Sequence, residues 1–407
     1  MIVSSNGPSV GARIRHARER AGMSRRVLGG LVDRSAEWVK AVEVGRLQTP
    51  KLQMLTKLAD VLDIRDLAEL TGNDEAVSVS RFAPGAAHQA LSDVRTALTE
   101  YRFASDPRPV DLAHLAERLA SAWKVRHSSP DHRTKLGALL PGLIRDAQRA
   151  VRARWGFDRR EARRILAGVY QLADFYVAFQ PAPELVWLVA DRAVTEGQEA
   201  DDPYSMAAGA WALVQALRES GRWEEAVSVA HDGAAQLEPY LESAPDDWRG
   251  MVGALRAENA LTYARRGKHG EAWRYWESAY DIARKLGPGY RHVQTSFGLP
   301  VMHANAVTLG VELRRGGEAA QAANSFDPVE IASVPRRARH LIEVARVHAL
   351  QGDQAATLAM LERAERTAPE TARFNGWARD LTHKLLDHPP NGETMTVRSL
   401  ARRIGVR

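Results

Sequence analysis

From His88 almost to its end the chain is written in helical period. Apolar residues recur every three or four positions in segments of about 12–20 residues, each broken by Gly, Pro or Asp, and no segment alternates as a strand does. Such a chain buries its apolar stripes in one way only, helix against helix. The pattern predicts an all-α protein, and 407 residues leave room for two or three domains. No run of about 18 apolar residues offers a membrane span. The N-terminus, MIVSSNGPSVG, lacks the basic segment and apolar core of a secretory signal. The absence of cysteine excludes a disulfide framework, a thiolate nucleophile and Cys-ligated zinc, and fits a cytoplasmic protein.

The formal net charge is +6, and its position is informative. The first sixty residues hold eleven Lys and Arg against five Asp and Glu, so the rest of the chain balances to zero. A basic excess confined to one small segment suits an electrostatic footprint on phosphate. A solvated basic surface is the plainer alternative.

That segment divides into five helices. The first covers Val10 to Arg20 and ends at Gly22. Ser24 N-caps a second that runs to about Val32, with Val27, Leu28 and Leu31 on one face. After the turn Asp33-Arg34, Ser35 caps a third, Ala36 to Val44, which stops at Gly45. Pro50 starts a fourth, striped by Leu52, Leu55, Leu58, Ala59 and Leu62. Ile64, Leu67 and Leu70 complete a fifth, ending near Gly72.

Gly22-Met23-Ser24, Leu28, Ser35, Val39, Val42-Glu43, Gly45, Pro50, Leu55, Leu58-Ala59 and Leu62 follow the order and spacing of the Cro/phage-repressor, or XRE-type, helix-turn-helix domain, which this segment resembles. The resemblance implies that the third helix enters the major groove of a double-stranded DNA operator while the second meets the backbone. It puts Ala36, Glu37, Lys40 and Ala41 where base edges are read, and Ser24, Arg25, Ser35, Arg46 and Lys51 where phosphates are held. Two departures stand out: Arg25 replaces the usual Gln, and Asp33-Arg34 replaces a pair of small residues. Trp38 is expected to pack on helix two or four, with a DNA contact as the alternative. Glu43 is expected to orient an arginine or cap a helix.

The remaining chain reads as a linker at 73–87, a helical array with weak repeats at 88–200, repeats at 201–388 and a tail helix at 389–407 that docks on the array or on a partner. Gly221, Gly267, Gly317 and Gly352 align as turn glycines, with Ala226, Ala272, Ala322 and Thr357 five positions on. The pattern resembles the tetratricopeptide repeat, and so implies an α-solenoid with a concave groove. By repeat register the groove takes Trp211, Gln215, Glu258, His303, Asn305, Arg314, Arg339, Glu343 and Arg346, a set suited to an extended peptide or small effector. Solvated helix-face charges are the alternative for each of them.

No phosphate-binding loop, zincin or nucleophile-elbow motif occurs, and the histidines lack metal-ligand spacing. No enzyme, cofactor or metal is expected. The whole arrangement resembles the actinobacterial XRE–TPR regulators and, distantly, the peptide-sensing RRNPP group. That resemblance implies a homodimeric, nucleoid-associated transcriptional regulator that senses a signalling peptide or small molecule. The alternative is a repeat scaffold or antagonist that acts by binding another protein.

Overall fold

The structure is a computed structural model that describes residues 9–47, 50, 52–62, 64, 68–71, 87–100 and 110–406. Every regular element among them is helical. They form two compact units, one from residues before 84 and one from nearly all of those after it.

The first unit contains α1 (Val10–Arg20), α2 (Arg25–Leu31), α3 (Ala36–Glu43), α4 (Leu52–Leu62) and α5 (Ala68–Thr71). Serine hydroxyls open the first three. Ser9, Ser24 and Ser35 accept from the backbone N–H of Ala12, Val27 and Trp38 at 3.2, 3.2 and 3.1 Å. Each satisfies a donor that the helix leaves orphaned. Gly22 and Gly45 take the left-handed backbone, φ +65° and +73°, just past α1 and α3. Ile14, Leu28, Val32, Val39, Leu58, Leu62, Ile64 and Leu70 make the core.

Two expectations need correcting here. Val27 and Leu31 are exposed, because the seven-residue α2 turns Leu28 and Val32 inward instead. Ile64 is buried but precedes the fifth helix, which begins at Ala68. Leu67 and Gly72 lie outside the described residues, as does the expected linker up to residue 86.

The second unit begins with α6 (Leu91–Thr99), α7 (Leu112–Ser128), α8 (His132–Arg152), α9 (Gly156–Val177) and α10 (Pro183–Glu199), which share one core. Helical hairpins follow: α11 (Pro203–Glu219) with α12 (Trp223–Ala235), α13 (Asp246–Arg265) with α14 (His269–Leu286), α15 (Leu299–Glu312) with α16 (Gly316–Asn324), and α17 (Val334–Leu350) with α18 (Gln354–Thr367). The unit ends with α19 (Pro369–Phe374), α20 (Gly376–Asp387) and α21 (Thr394–Ile404). The tail helix α21 buries Val397, Leu400 and Ile404 against Leu361 and Leu385, so it docks on the array.

The repeat register is corrected in one hairpin. Gly221, Gly267 and Gly352 hold left-handed turns, but between α15 and α16 that role falls to Arg314, φ +57°, and Gly317 lies inside α16. Aligning on glycine misplaced this unit by three residues. From Arg314 the fifth residue is Ala319, which is fully buried like Ala226 and Ala272. Ala319 packs on Gly310, where an added Cβ would come within 2.8 Å of its own.

The array also closes on itself. Glu370 at the start of α19 accepts from the backbone N–H of Arg133 at 2.6 Å and from the Thr134 hydroxyl at 2.5 Å, both in the first turn of α8. His127 Nδ1 lies 3.0 Å from the Ser333 hydroxyl and 3.1 Å from that of Ser296. The early helices therefore wall off what an open solenoid would leave as a groove.

Candidate functional site

In the first unit the candidate site is the outward side of α3. Val39, Val42 and Glu43 face the core, so the helical repeat turns Ala36, Glu37, Lys40 and Ala41 the other way. Glu37 is exposed and the other three are half-buried; Lys40 Nζ stands 3.8 Å from Glu37, a surface pair of little weight. Glu43 sets this orientation from behind. Its side chain is cut off from solvent and accepts from Arg18 Nε at 2.5 Å and Arg25 Nε at 2.7 Å, so one carboxylate ties α3 to α1 and α2. Gly11 lets α1 come this close, since a Cβ there would lie 2.2 Å from the Val42 carbonyl oxygen.

The turn into α3 is equally specific. Asp33 takes a left-handed backbone, φ +53°, and its carboxylate pairs with Lys57 of α4. That partner holds the Asp33 carboxyl below its ordinary range. Trp38 is half-buried against the core, with the Arg34 guanidinium over its ring at 5.8 Å. Ser24, Ser35 and Arg46 are exposed around α3. Arg25 is half-exposed and shares itself with Glu43. Lys51 lies outside the described residues.

The second unit holds a cavity of about 130 Å³. Trp211, Gln215, Glu258, Asn305, Arg339 and Glu343 line it together. His303, Arg314 and Arg346 do not. His303 sits between the rings of Tyr280 and Phe326, at 5.7 and 5.4 Å. Arg314 forms the turn after α15. Arg346 lies over the Trp377 ring at 3.8 Å and is paired with Glu312 at 3.0 Å and Glu343 at 2.7 Å.

Repeat register missed the opposite wall: Arg126, His132 and Arg133 of α7 and α8, and Asp174 and Phe175 of α9. No repeat is legible there, but one signal was. Asp174 is the one charged residue in the stretch Leu166 to Val177, whose other members are apolar apart from Gln171, and a lone carboxylate at such a position asks for a reason. Arg336, beside Arg339 in α17, was also passed over.

The electrostatics of the cavity are uneven. Glu258 accepts from Arg218 at 2.5 Å, and Glu343 is held by Arg346. Burial, with Glu258 nearby, pushes the Asp174 carboxyl up to about 7. Burial, with Arg133, Arg336 and Arg339 around it, pulls Arg126 down to about 9. Burial and Arg339 pull Arg336 down to about 10. Burial likewise lowers Arg133 to about 10, with Glu370 opposing it.

Residues 9–71 match the family profile described as "Helix-turn-helix domain". No curated protein matches the chain. Among solved structures it is similar to BtubC (BKLC) from P. vanneervenii, with 17% sequence identity, 62% of this chain and 90% of that chain covered, and a TM-score of 0.31. It is also similar to ComR from S. thermophilus, crystallised with DNA and its signalling peptide ComS, with 16% identity, 68% and 94% covered, and a TM-score of 0.25.

Proposed function

We propose that this chain, a helix-turn-helix domain followed by a helical array, is a sequence-specific DNA-binding transcriptional regulator whose array senses a small ligand or peptide. The observation that carries the reading is the placement of α3. Its apolar side and Glu43 are locked inward, and Ala36, Glu37, Lys40 and Ala41 are left toward solvent on the most basic segment of the chain. A helix presented in this way fits the major groove. In this reading Glu37 accepts from a cytosine amino group and the alanines meet thymine methyls. Ser24, Ser35, Arg46 and Lys51 grip phosphates, and Arg25 joins them with whatever donors Glu43 leaves it.

Operators of such regulators carry two-fold symmetry, so the protein acts as a homodimer in the cytoplasm. No helix among the described residues is long and apolar enough to cross a membrane, which agrees with that location. Genome-wide capture of DNA by the purified full-length chain tests the reading. A recurrent two-fold sequence is expected, and equal capture of every fragment overturns it.

A further inference from the structure

We propose that the cavity of the second unit binds a compact polyanion carrying a flat ring, such as a phosphorylated or polycarboxylated aromatic molecule. The inference rests on reading that unit as a ligand sensor. Four guanidinium groups, Arg126, Arg133, Arg336 and Arg339, converge on the cavity from α7, α8 and α17. None of them makes an ion pair with a carboxylate among the described residues. The carboxylates nearby are already engaged, Glu258 by Arg218, Glu343 by Arg346, and Glu370 by the backbone N–H of Arg133 and the Thr134 hydroxyl. Asp174 remains, with its Oδ1 buried and unbonded.

Backbone carbonyls satisfy the arginines only in part. Arg133 donates to the carbonyl of Tyr176 at 2.6 Å, and Arg336 to that of Thr295 at 3.1 Å. Arg126 keeps Nε and Nη1 out of solvent with no hydrogen bond. Like charges gathered at one site repel, and proteins hold them where a bound group supplies the counter-charge. Guanidinium forks match the paired oxygens of phosphate and carboxylate.

Aromatic rings stand beside the arginines. Phe175 stacks on Trp211 with centroids 5.4 Å apart, and Arg126 lies 4.8 Å over Phe175. Flat faces next to a cationic cluster suit a ring attached to anionic groups. A neutral or basic peptide would leave the four charges unanswered.

Calorimetry and thermal melts of the full-length chain at constant ionic strength test this with ATP, tripolyphosphate and citrate. At least one binds and raises the melting point. Phosphates against citrate identify the anion, and ATP binding tighter than tripolyphosphate supports the ring. Arg126→Gln and Arg336→Gln each weaken binding by about tenfold or more, while exposed Arg160→Gln leaves it unchanged. Ligand-free Arg126→Met melts no lower than wild type, because it removes an unanswered charge; a large drop would make the arginine structural and overturn the proposal. No binding by any probe, or the same response in all variants, also overturns it. DNA capture is read separately. An operator without anion binding sinks only this inference, and anion binding without an operator sinks the proposed function.

Discussion

Arg18 Nε donates to Glu43 Oε1 at 2.5 Å, and the Glu43 side chain has no exposed surface. Arg18 is itself buried and also donates to the Met23 carbonyl at 2.8 Å, so α1, the turn after it and α3 share one charged knot. Removing one partner strands the other. Glu43→Gln is expected to cost the first unit about 3–5 kcal/mol in denaturant unfolding, and Arg18→Met with Glu43→Leu to recover most of it. A Glu43→Gln unit as stable as the native one would remove this knot as the device that aims α3.

Around α3 the side chains are expected to separate into two kinds. Glu37→Ala and Lys40→Ala change which operator bases are preferred, whereas Arg46→Ala weakens every duplex alike and lowers the salt slope by about 1. Anisotropy titrations across salt concentrations and single-base operator variants distinguish them. Arg25→Ala is expected to lose stability as well as affinity, because the same side chain holds Glu43.

Two glycines make a paired test of packing. Gly11→Ala brings a methyl to 2.2 Å from the Val42 carbonyl oxygen, whereas Gly30, in α2, has nothing within 4 Å. The first substitution is expected to destabilise the unit by about 1–3 kcal/mol by overpacking, and the second to stabilise it by about 1 kcal/mol through helix propensity. Chemical denaturation of both variants reads the sign directly.

The docked tail offers a cavity experiment. Leu400 is fully buried between α21 and the helices beneath it. Leu400→Ala is expected to destabilise the second unit by about 2–5 kcal/mol. A loss under about 0.5 kcal/mol, the range of surface changes, would mean that α21 does not rest on the array in solution.

Acid should loosen the second unit. Burial, with Arg126 and Arg336 close by, holds His127 down to about 3, and burial with Arg363 nearby holds His340 down to about 4. His132 is lowered as well, by burial and then by Arg126. The unfolded chain takes up protons near pH 6.5 while these three stay neutral in the fold, so stability falls as pH drops below that value. Asp174 acts the other way. Its folded carboxyl, raised to about 7, binds a proton that the unfolded chain releases near pH 4, so its contribution falls as pH rises through that window. Burial lowers His88 and His292 too, so the histidines outweigh Asp174. Melting points are expected to decline from pH 6.5 to pH 5, and Asp174→Asn to steepen the decline and raise stability at pH 8. A flat profile in both proteins would contradict the burial of these groups.

The sequence by itself determined that the first unit is a set of short helices and where α1, α2 and α3 start, though not where α5 does. Helical period, the serines at 24 and 35 and the glycines at 22 and 45 are local signals, and local backbone chemistry is what they report. It also determined which residues of α3 face outward, because a helix has one period and Val39 and Val42 declare its buried side. Only the tertiary structure decided that Glu43 joins two arginines, since its partners lie 18 and 25 residues away. Only it decided that Arg314, rather than a glycine, makes the third hairpin turn, because a left-handed backbone at arginine is imposed by packing and not by propensity. And only it brought Arg126, Arg133 and Asp174 opposite Arg336 and Arg339. A cavity closed by helices some two hundred residues apart has no period for a sequence to carry.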